Sequence, residues 1–323
     1  MKNKKNFWKK KKVFITGHTG FKGSWLLLTL HELGSTIAGY SLPPVKDGIF
    51  NNLNLKKKLK FNYYHNILNK KILEKSILKF KPDIIFHLAA QPLVIESYIN
   101  PYNNFNTNTL GTLNLLETIR KLNYQGTAII ITTDKVYNTK KTKTSFKEED
   151  EIGVSDPYGS SKVASEIITQ SYAKSFLNKD KFNLLIARSG NVIGGGDFSA
   201  NRIIPDYYKS VNGSKKLQIR NPDHIRPWQH VMEPINGYIL LAQKYYKKNI
   251  SNGVCWNFGP QLKDSINVKK LINILNNIST TKVKIFFNNK KKSKLSETEK
   301  LMLNSNKSKK ILKWQQKFNI NQT

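Results

Sequence analysis

The chain has 323 residues, enough for one large α/β domain or for a nucleotide-binding domain carrying a smaller lobe. Hydrophobic residues make up 39% and there are 18 glycines, so a sizeable core can be buried and a disordered chain is excluded. The formal charge of +33, from 54 Lys+Arg against 21 Asp+Glu, would ordinarily point to nucleic acid or an anionic surface. Only five of those cations are arginine, however, and the lysines are scattered along the chain beside abundant Asn and Ile. That skew reads as a solvated surface shaped by an AT-rich genome, and a nucleic-acid partner is not expected.

The single cysteine, Cys255, excludes an intramolecular disulfide framework and a Cys-rich metal site, which fits a reducing cytoplasm. Its neighbours Gly253-Val254-Cys255-Trp256 mark it as a packing residue. The lysine-rich opening is followed only by Val13-Phe14-Ile15 before Thr16-Gly17, so neither a signal peptide nor a membrane span is expected, and no metal is.

In chain order, Lys12–Thr16 reads as a buried strand, Gly17 to Gly23 as a turn, and Ser24–Leu33 as a helix capped by Gly34. Strands follow at Thr36–Ser41, Lys60–His65 and Asp83–Leu88, the last preceded by a helix at Lys70–Phe80 and by Pro82. Thr107–Leu122 reads as a helix, Ala128–Thr132 as a strand, Tyr158–Ala173 as a helix and Leu184–Ala187 as a strand. This alternation predicts an α/β fold with a doubly wound parallel Rossmann sheet, ligands sitting at the strand C-terminal ends. Beyond residue 190 the regularity lapses into turns and helices around Pro234–Tyr246 and Val268–Ile278. The chain therefore divides into a dinucleotide-binding domain at 12–190 and a substrate lobe at 191–323, interleaved with the last sheet elements.

Gly17, Gly20 and Gly23 form G-x-x-G-x-x-G between a first strand and a first helix, where backbone amides and the helix dipole favour a pyrophosphate. The carboxylate that would hold an NAD ribose is missing from Gly39-Tyr40-Ser41, and no Arg for a 2′-phosphate replaces it. Tyr158 and Lys162 lie four apart on one helix face, and a neighbouring ammonium would lower the phenol's pKa. Thr133, Asp134 and Lys135 leave a strand at its C-terminal end with a hydroxyl, a carboxylate and an amine. Arg188, Arg202, Arg220 and Arg226 crowd into one segment, and a planar fork suits phosphate.

Taken together, Gly17 to Gly23, Phe86-His87-Leu88-Ala89-Ala90-Gln91-Pro92, Thr132 to Lys135, Asp156-Pro157-Tyr158 with Lys162, and Gly190 to Asp197 resemble the extended short-chain dehydrogenase/reductase family, in its NAD-dependent epimerase/dehydratase group. Ile225-Arg226-Pro227-Trp228-Gln229-His230-Val231 and Trp256-Asn257-Phe258-Gly259-Pro260 narrow the resemblance to the CDP-glucose 4,6-dehydratases. Lys135 is the discriminating residue, standing where TDP-glucose dehydratases carry Glu. The resemblance implies redox-neutral dehydration of a nucleotide sugar, as in deoxysugar and lipopolysaccharide O-antigen synthesis. Tyr158 would act at O4 of the sugar, Lys135 at C5 and Asp134 at the departing C6 hydroxyl, beside Thr133 and Lys162. It implies NAD held by Gly17, Thr19, Gly20, Phe21, Lys22, Gly23, Tyr40, Asn66, Ile67, Leu88, Ala89, Ala90, Tyr158 and Lys162. Gln91, Asn191, Arg202, Arg220 and Arg226 would meet the substrate, and a homodimer or homotetramer is expected.

Asn66-Ile67 departs from the family's Asp-Ile, and Asn304 from an Asp before Trp314. The competing expectations are another sugar-nucleotide 4,6-dehydratase or a 4-epimerase of the same family, the latter having no need of Asp134-Lys135, and a non-enzymatic nucleotide-sensing or nucleic-acid-binding Rossmann protein.

Overall fold

A computed structural model describes residues 6–139, 145–176, 182–246, 248, 253–287 and 298–323. The strands are β1 (Lys12–Thr16), β2 (Thr36–Ser41), β3 (Phe61–Tyr64), β4 (Ile84–His87), β5 (Gly126–Ile131), β6 (Phe182–Ser189), β7 (Val192–Ile193), β8 (Lys216–Ile219), β9 (Ile225–Pro227), β10 (Gln229–His230), β11 (Val254–Phe258), β12 (Ser265–Asn267) and β13 (Lys284–Phe287). The longer helices are α1 (Phe21–Glu32), α2 (Lys70–Phe80), α3 (Gly111–Lys121), α4 (Pro157–Ser175), α5 (Ile203–Asn212), α6 (Met232–Tyr245), α7 (Val268–Ile278) and α8 (Asn306–Leu312). Seven parallel strands form one sheet in the order β3-β2-β1-β4-β5-β6-β11, the expected doubly wound arrangement. The order reverses between β1 and β4, and that switch point opens a crevice at the strand C-terminal ends.

The strands are apolar on both faces because each face is roofed by helices. Ile84, Phe86, Ile129 and Ile131 face one layer, which includes Leu26, Leu27 and Leu30 of α1 and Ile235, Tyr238 and Ile239 of α6. The intervening Ile85, Ala128 and Ile130 face the other, with Leu73 and Ile77 of α2 and Leu115, Leu116 and Ile119 of α3. After β6 the chain leaves the sheet, and α6 and β11 bring it back. Between and beyond them, Tyr207, Leu217, Ile219, Ile272 and Val283 close a small separate core in which β8 pairs parallel with β13.

Two helices differ from their sequence expectation. The first begins at Phe21, three residues before Ser24, because Gly20 is already extended and serves as its N-cap. The helix expected over Thr107–Leu122 is interrupted by one wide π turn at Asn106–Leu110. There the buried Asn108 side chain accepts from the Gln91 amide at 2.8 Å and donates to Ser161 Oγ at 2.8 Å, demands a regular helix does not meet.

The turn after β1 is supported from below by His18, fully buried with Nε2 2.8 Å from Asn62 Oδ1. Gly39 of β2 makes room for it, since a Cβ there would lie 2.4 Å from the imidazole ring. Gly39→Ala is expected to cost about 1–3 kcal/mol, as overpacking does, read as a lower urea midpoint at unchanged m.

Candidate active site

A cleft of about 810 Å³ runs along the C-terminal edge of the sheet, and the ends of β1 to β6 feed it. From β1 comes the glycine turn. Gly17 takes φ +75, and a Cβ there would sit 2.7 Å from the Ala89 amide nitrogen; at Gly23 it would sit 2.0 Å from the Gly17 carbonyl oxygen. Thr19, Phe21 and Lys22 line the cleft beside these glycines. The Lys22 ammonium reaches across to β6 and donates to Ser189 Oγ at 2.7 Å, which also receives the Tyr238 hydroxyl at 2.9 Å. Burial, followed by the charge of Arg202, brings the Lys22 pKa down to about 7.

β2 offers no carboxylate. Thr19 Oγ1 lies 2.8 Å from Ser41 Oγ, and it donates to the Leu42 carbonyl at 3.0 Å. Tyr40 lines the cleft only with its ring, its hydroxyl being spent on the Asn66 carbonyl at 3.1 Å. Asn66 Oδ1 accepts from the Leu68 amide, and Ile67 is buried against Gly111. Leu88, Ala89, Ala90 and Gln91 form the next wall beyond β4. The Ala89 amide donates to Thr16 Oγ1 at 3.2 Å, and Thr16 lies 2.8 Å from His87 Nδ1. His87 Nε2 lies 3.1 Å from Thr112 Oγ1, which donates to the Asn108 carbonyl. Gln91 Oε1 accepts from Asn104 at 2.7 Å.

The end of β5 carries the polar trio. Thr133 Oγ1 donates to Asp134 Oδ1 at 3.1 Å, and Lys135 Nζ lies 3.4 Å from that oxygen and 3.3 Å from Asn191 Oδ1. Thr133 and Lys135 line the cleft, whereas Asp134 is fully buried behind it. Its Oδ2 has no hydrogen-bond partner among the described residues and stands where Gly190 leaves space, 3.1 Å from the position of a Cβ there.

Asp156 caps α4 by accepting from the Gly159 amide at 2.8 Å, and Pro157 opens the helix, so Tyr158 stands at its mouth. Burial pushes the Tyr158 phenol up to about 12, against the downward pull of its hydrogen bond with Thr133 and of the Arg202 charge. Lys162 donates to the Ile131 carbonyl at 3.0 Å; burial takes its pKa down to about 8, with Glu166 opposing. In the structure as it stands, burial therefore outweighs the lowering expected for the phenol.

From the far side, Asn191, Arg202, Arg220 and Arg226 all line the cleft. Arg202 donates to Asp197 at 2.9 Å, Arg220 is exposed at the end of β8, and Arg226 donates to the Ile225 and Glu299 carbonyls. Every residue expected at the site thus lines one cleft except Asp134. Arg188 is a correction to the reading of the arginine cluster: its fork is buried against Glu166. Sequence reading missed Glu166, although it repeats the spacing of Tyr158 and Lys162 on the same helix face, and missed Ser189 and the Thr16–His87–Thr112 chain.

This topology, with a Tyr-x-x-x-Lys helix opening onto the glycine turn, defines the chain as an extended short-chain dehydrogenase/reductase. Residues 14–323 match the GDP-mannose 4,6 dehydratase family, and the chain belongs to it. It is 41% identical over 274 residues to CDP-glucose 4,6-dehydratase of Salmonella typhimurium, covering 83% of this chain and 76% of that protein. It is 30% identical over 280 residues to dTDP-D-glucose 4,6-dehydratase of Dictyostelium discoideum, covering 81% and 62% respectively. The fold superposes on dTDP-glucose 4,6-dehydratase from Bacillus anthracis, solved in complex with NAD, with a TM-score of 0.79 at 20% identity, covering 97% of this chain and 93% of that one.

Burial brings the His87 pKa down to about 3 and that of His18 to about 4, so both stay neutral in the folded chain, whereas unfolded they titrate near 6.5. Below about pH 6.5 the unfolded chain binds protons that the folded chain refuses, and stability must fall with pH down toward 3–4. Urea midpoints measured from pH 7 to pH 5 should decline, and His87→Gln should flatten part of that slope.

Proposed function

We propose that this chain dehydrates a nucleotide-activated hexose at C4–C6, with NAD as cofactor and CDP-D-glucose as the best substrate, giving CDP-4-dehydro-6-deoxy-D-glucose and water. The observation that carries the reading is Lys135, an amine beside Asp134 at the end of β5, opening onto the same cleft as Tyr158. The 41% identity to the Salmonella enzyme supports the CDP-linked substrate.

The cradle fits a dinucleotide: the approaches at Gly17 and Gly23 leave no room for a Cβ, and Gly20 starts α1 with its amides directed at the turn. Gly17, Thr19, Gly20, Phe21, Lys22 and Gly23 would hold the pyrophosphate side, Tyr40, Asn66 and Ile67 the adenine side, and Leu88, Ala89, Ala90, Tyr158 and Lys162 the nicotinamide side. When bound, NAD supplies a hydride acceptor that is regenerated within each turnover.

On the protein's side, Tyr158 accepts the O4 proton as C4 is oxidised, helped by the hydrogen bond with Thr133 and by nearby cations. The resulting ketone acidifies the C5 hydrogen. Lys135 and Asp134 hold one proton between them: transfer across their 3.4 Å contact turns ammonium and carboxylate into amine and carboxylic acid. The amine then removes the C5 proton while the acid gives its own to the departing C6 hydroxyl through Thr133, whose hydroxyl bonds Asp134 Oδ1 and lines the cleft that Asp134 does not reach. Water leaves and the ion pair is restored; as C6 is reduced the Lys135 ammonium returns its proton to C5, and the O4 proton taken by Tyr158 replenishes the pair, so the cycle closes without an outside proton. Gln91, Asn191, Arg202, Arg220 and Arg226 would hold the sugar, diphosphate and nucleoside.

No helix among the described residues is long and apolar enough to cross a membrane, and no cluster of possible metal ligands occurs among them. We assign the enzyme to the cytoplasm and infer a homodimer or homotetramer. Ile99, Tyr102, Leu110 and Ile167 expose apolar side chains on or beside helices that pack together next to α4. The division at residue 190 is retained as a working boundary between cofactor domain and substrate lobe.

Purified protein incubated with NAD and a panel of NDP-glucoses should give a 4-keto product lighter by one water, fastest with CDP-glucose. A product of unchanged mass would overturn the reading in favour of epimerisation. Asp134→Asn and Lys135→Met should each lower kcat by about 100-fold or more, the scale of acid–base loss, with smaller effects on KM.

A further inference from the structure

Beneath the polar trio lies a carboxylate that the mechanism above does not use. Glu166 sits on α4 one turn beyond Lys162 and two beyond Tyr158, and it is fully buried. Its Oε1 accepts from Thr132 Oγ1 at 2.6 Å and from Arg188 Nε at 2.9 Å, and its Oε2 accepts from Arg188 Nε at 3.1 Å and from the second guanidinium nitrogen at 2.5 Å. Arg188, on β6, also donates to the Tyr137 hydroxyl at 2.8 Å and to the Glu148 carbonyl at 3.1 Å. One buried carboxylate therefore ties together α4, the end of β5 and β6. Thr132 adjoins Thr133, whose hydroxyl pulls the Tyr158 pKa down against burial, and Lys162 is anchored on the carbonyl of Ile131.

We propose that Glu166, held by Arg188, is a positioning residue for the dehydration: it supplies the counter-charge for the Lys162 ammonium and pins Thr132, so that Thr133 meets Tyr158. This inference rests on the dehydratase reading. The titratable and charged groups around the junction come from every element packed there. They are Tyr158, Lys162 and Glu166 on α4 with Asp156 at its cap, Lys22 on α1, His87 on β4, Asp134, Lys135, Tyr137 and Glu148 after β5, Arg188 on β6, Arg202 before α5, Tyr238 on α6 and Cys255 on β11. Lys22 adds to the positive charge near Lys162, and Asp134 already faces Lys135. Glu166 is the carboxylate whose charge favours the Lys162 ammonium against burial. Lys162 stands one helical turn beyond Tyr158 on the same face, and an ammonium there favours the phenolate that must receive the O4 proton, so losing Glu166 weakens the base through Lys162.

The test is the titration of Lys162 itself, followed in the NAD-free full-length protein carrying ¹³Cε-lysine, with the resonance assigned by its loss in Lys162→Met. In Glu166→Gln the Lys162 resonance should titrate about one pH unit lower than in the unsubstituted protein. The alkaline limb of kcat should move with it, with kcat down tenfold or more and KM within about twofold. Glu166→Gln leaves Arg188 uncompensated, so Glu166→Met combined with Arg188→Met is measured alongside, because a buried ion pair replaced as a whole by apolar residues commonly preserves folding. A folded variant whose Lys162 titrates as in the unsubstituted protein overturns the proposal. The titration needs no substrate, so failure of the dehydratase reading, seen as no turnover by the unsubstituted protein, is a separate outcome.

Discussion

A side chain on Gly17 would put its Cβ 2.7 Å from the amide nitrogen of Ala89, inside van der Waals contact with the backbone that follows β4. The turn after β1 and the wall after β4 therefore touch main chain to main chain at the point where the sheet order reverses. Gly23 repeats the demand within the turn, and Gly39 repeats it underneath, where the His18 ring fills the place a side chain would take. From these three absences the cleft obtains its floor, and the strand ends that supply Thr133 and Asn191, with the mouth of α4 that supplies Tyr158, are set at fixed distances from it. Neutral His18 and His87 brace the two sides of that contact through hydrogen bonds to Asn62, Thr16 and Thr112, so its geometry depends on histidines that burial keeps uncharged.

Around this floor the chain concentrates more positive than negative charge. Lys22, Lys135, Lys162 and Arg202 converge there, and burial brings Lys22 down to about 7 and Lys162 to about 8. Asp134, Asp197 and Glu166 offset part of that charge, each held by a cation of its own. Such a site gains free energy from a ligand that carries phosphates, since a diphosphate relieves repulsion among ammonium groups that are already desolvated. The excess positive charge thus has a local use in the cleft that is distinct from the dispersed lysines on the surface.

The sheet was legible in the sequence because short continuous apolar runs such as those within Asp83–Leu88 and Ala128–Thr132 are bounded by Gly, Pro and polar turns, and a buried parallel strand has few other ways to look. Cleft residues were legible where chemistry demands a particular type at a particular spacing, as with the three glycines and Tyr158 with Lys162. The π turn at Asn106–Leu110 was hidden, because the tertiary bonds that Asn108 makes there with Gln91 and Ser161 are encoded in no local pattern. The burial of Asp134 was hidden for a similar reason: it depends on Gly190, fifty-six residues away, leaving room behind the cleft wall.

The arginines show where a sequence signal can be sound in kind and incomplete in target. In a lysine-rich chain, an arginine that persists marks a planar, bidentate demand. Arg188 meets that demand inside the protein, gripping both oxygens of Glu166, and Arg120 does so on the surface with both oxygens of Glu117 at 2.8 and 2.6 Å. Arg202, Arg220 and Arg226 instead line the cleft, where Arg202 places one nitrogen on Asp197 and Arg226 donates to the Ile225 carbonyl. A grip on both oxygens of one carboxylate thus marks Arg188 and Arg120 as structural arginines. The same distinction explains why Glu166 escaped notice: its significance lies in Arg188, whose fork the sequence reading had reserved for phosphate.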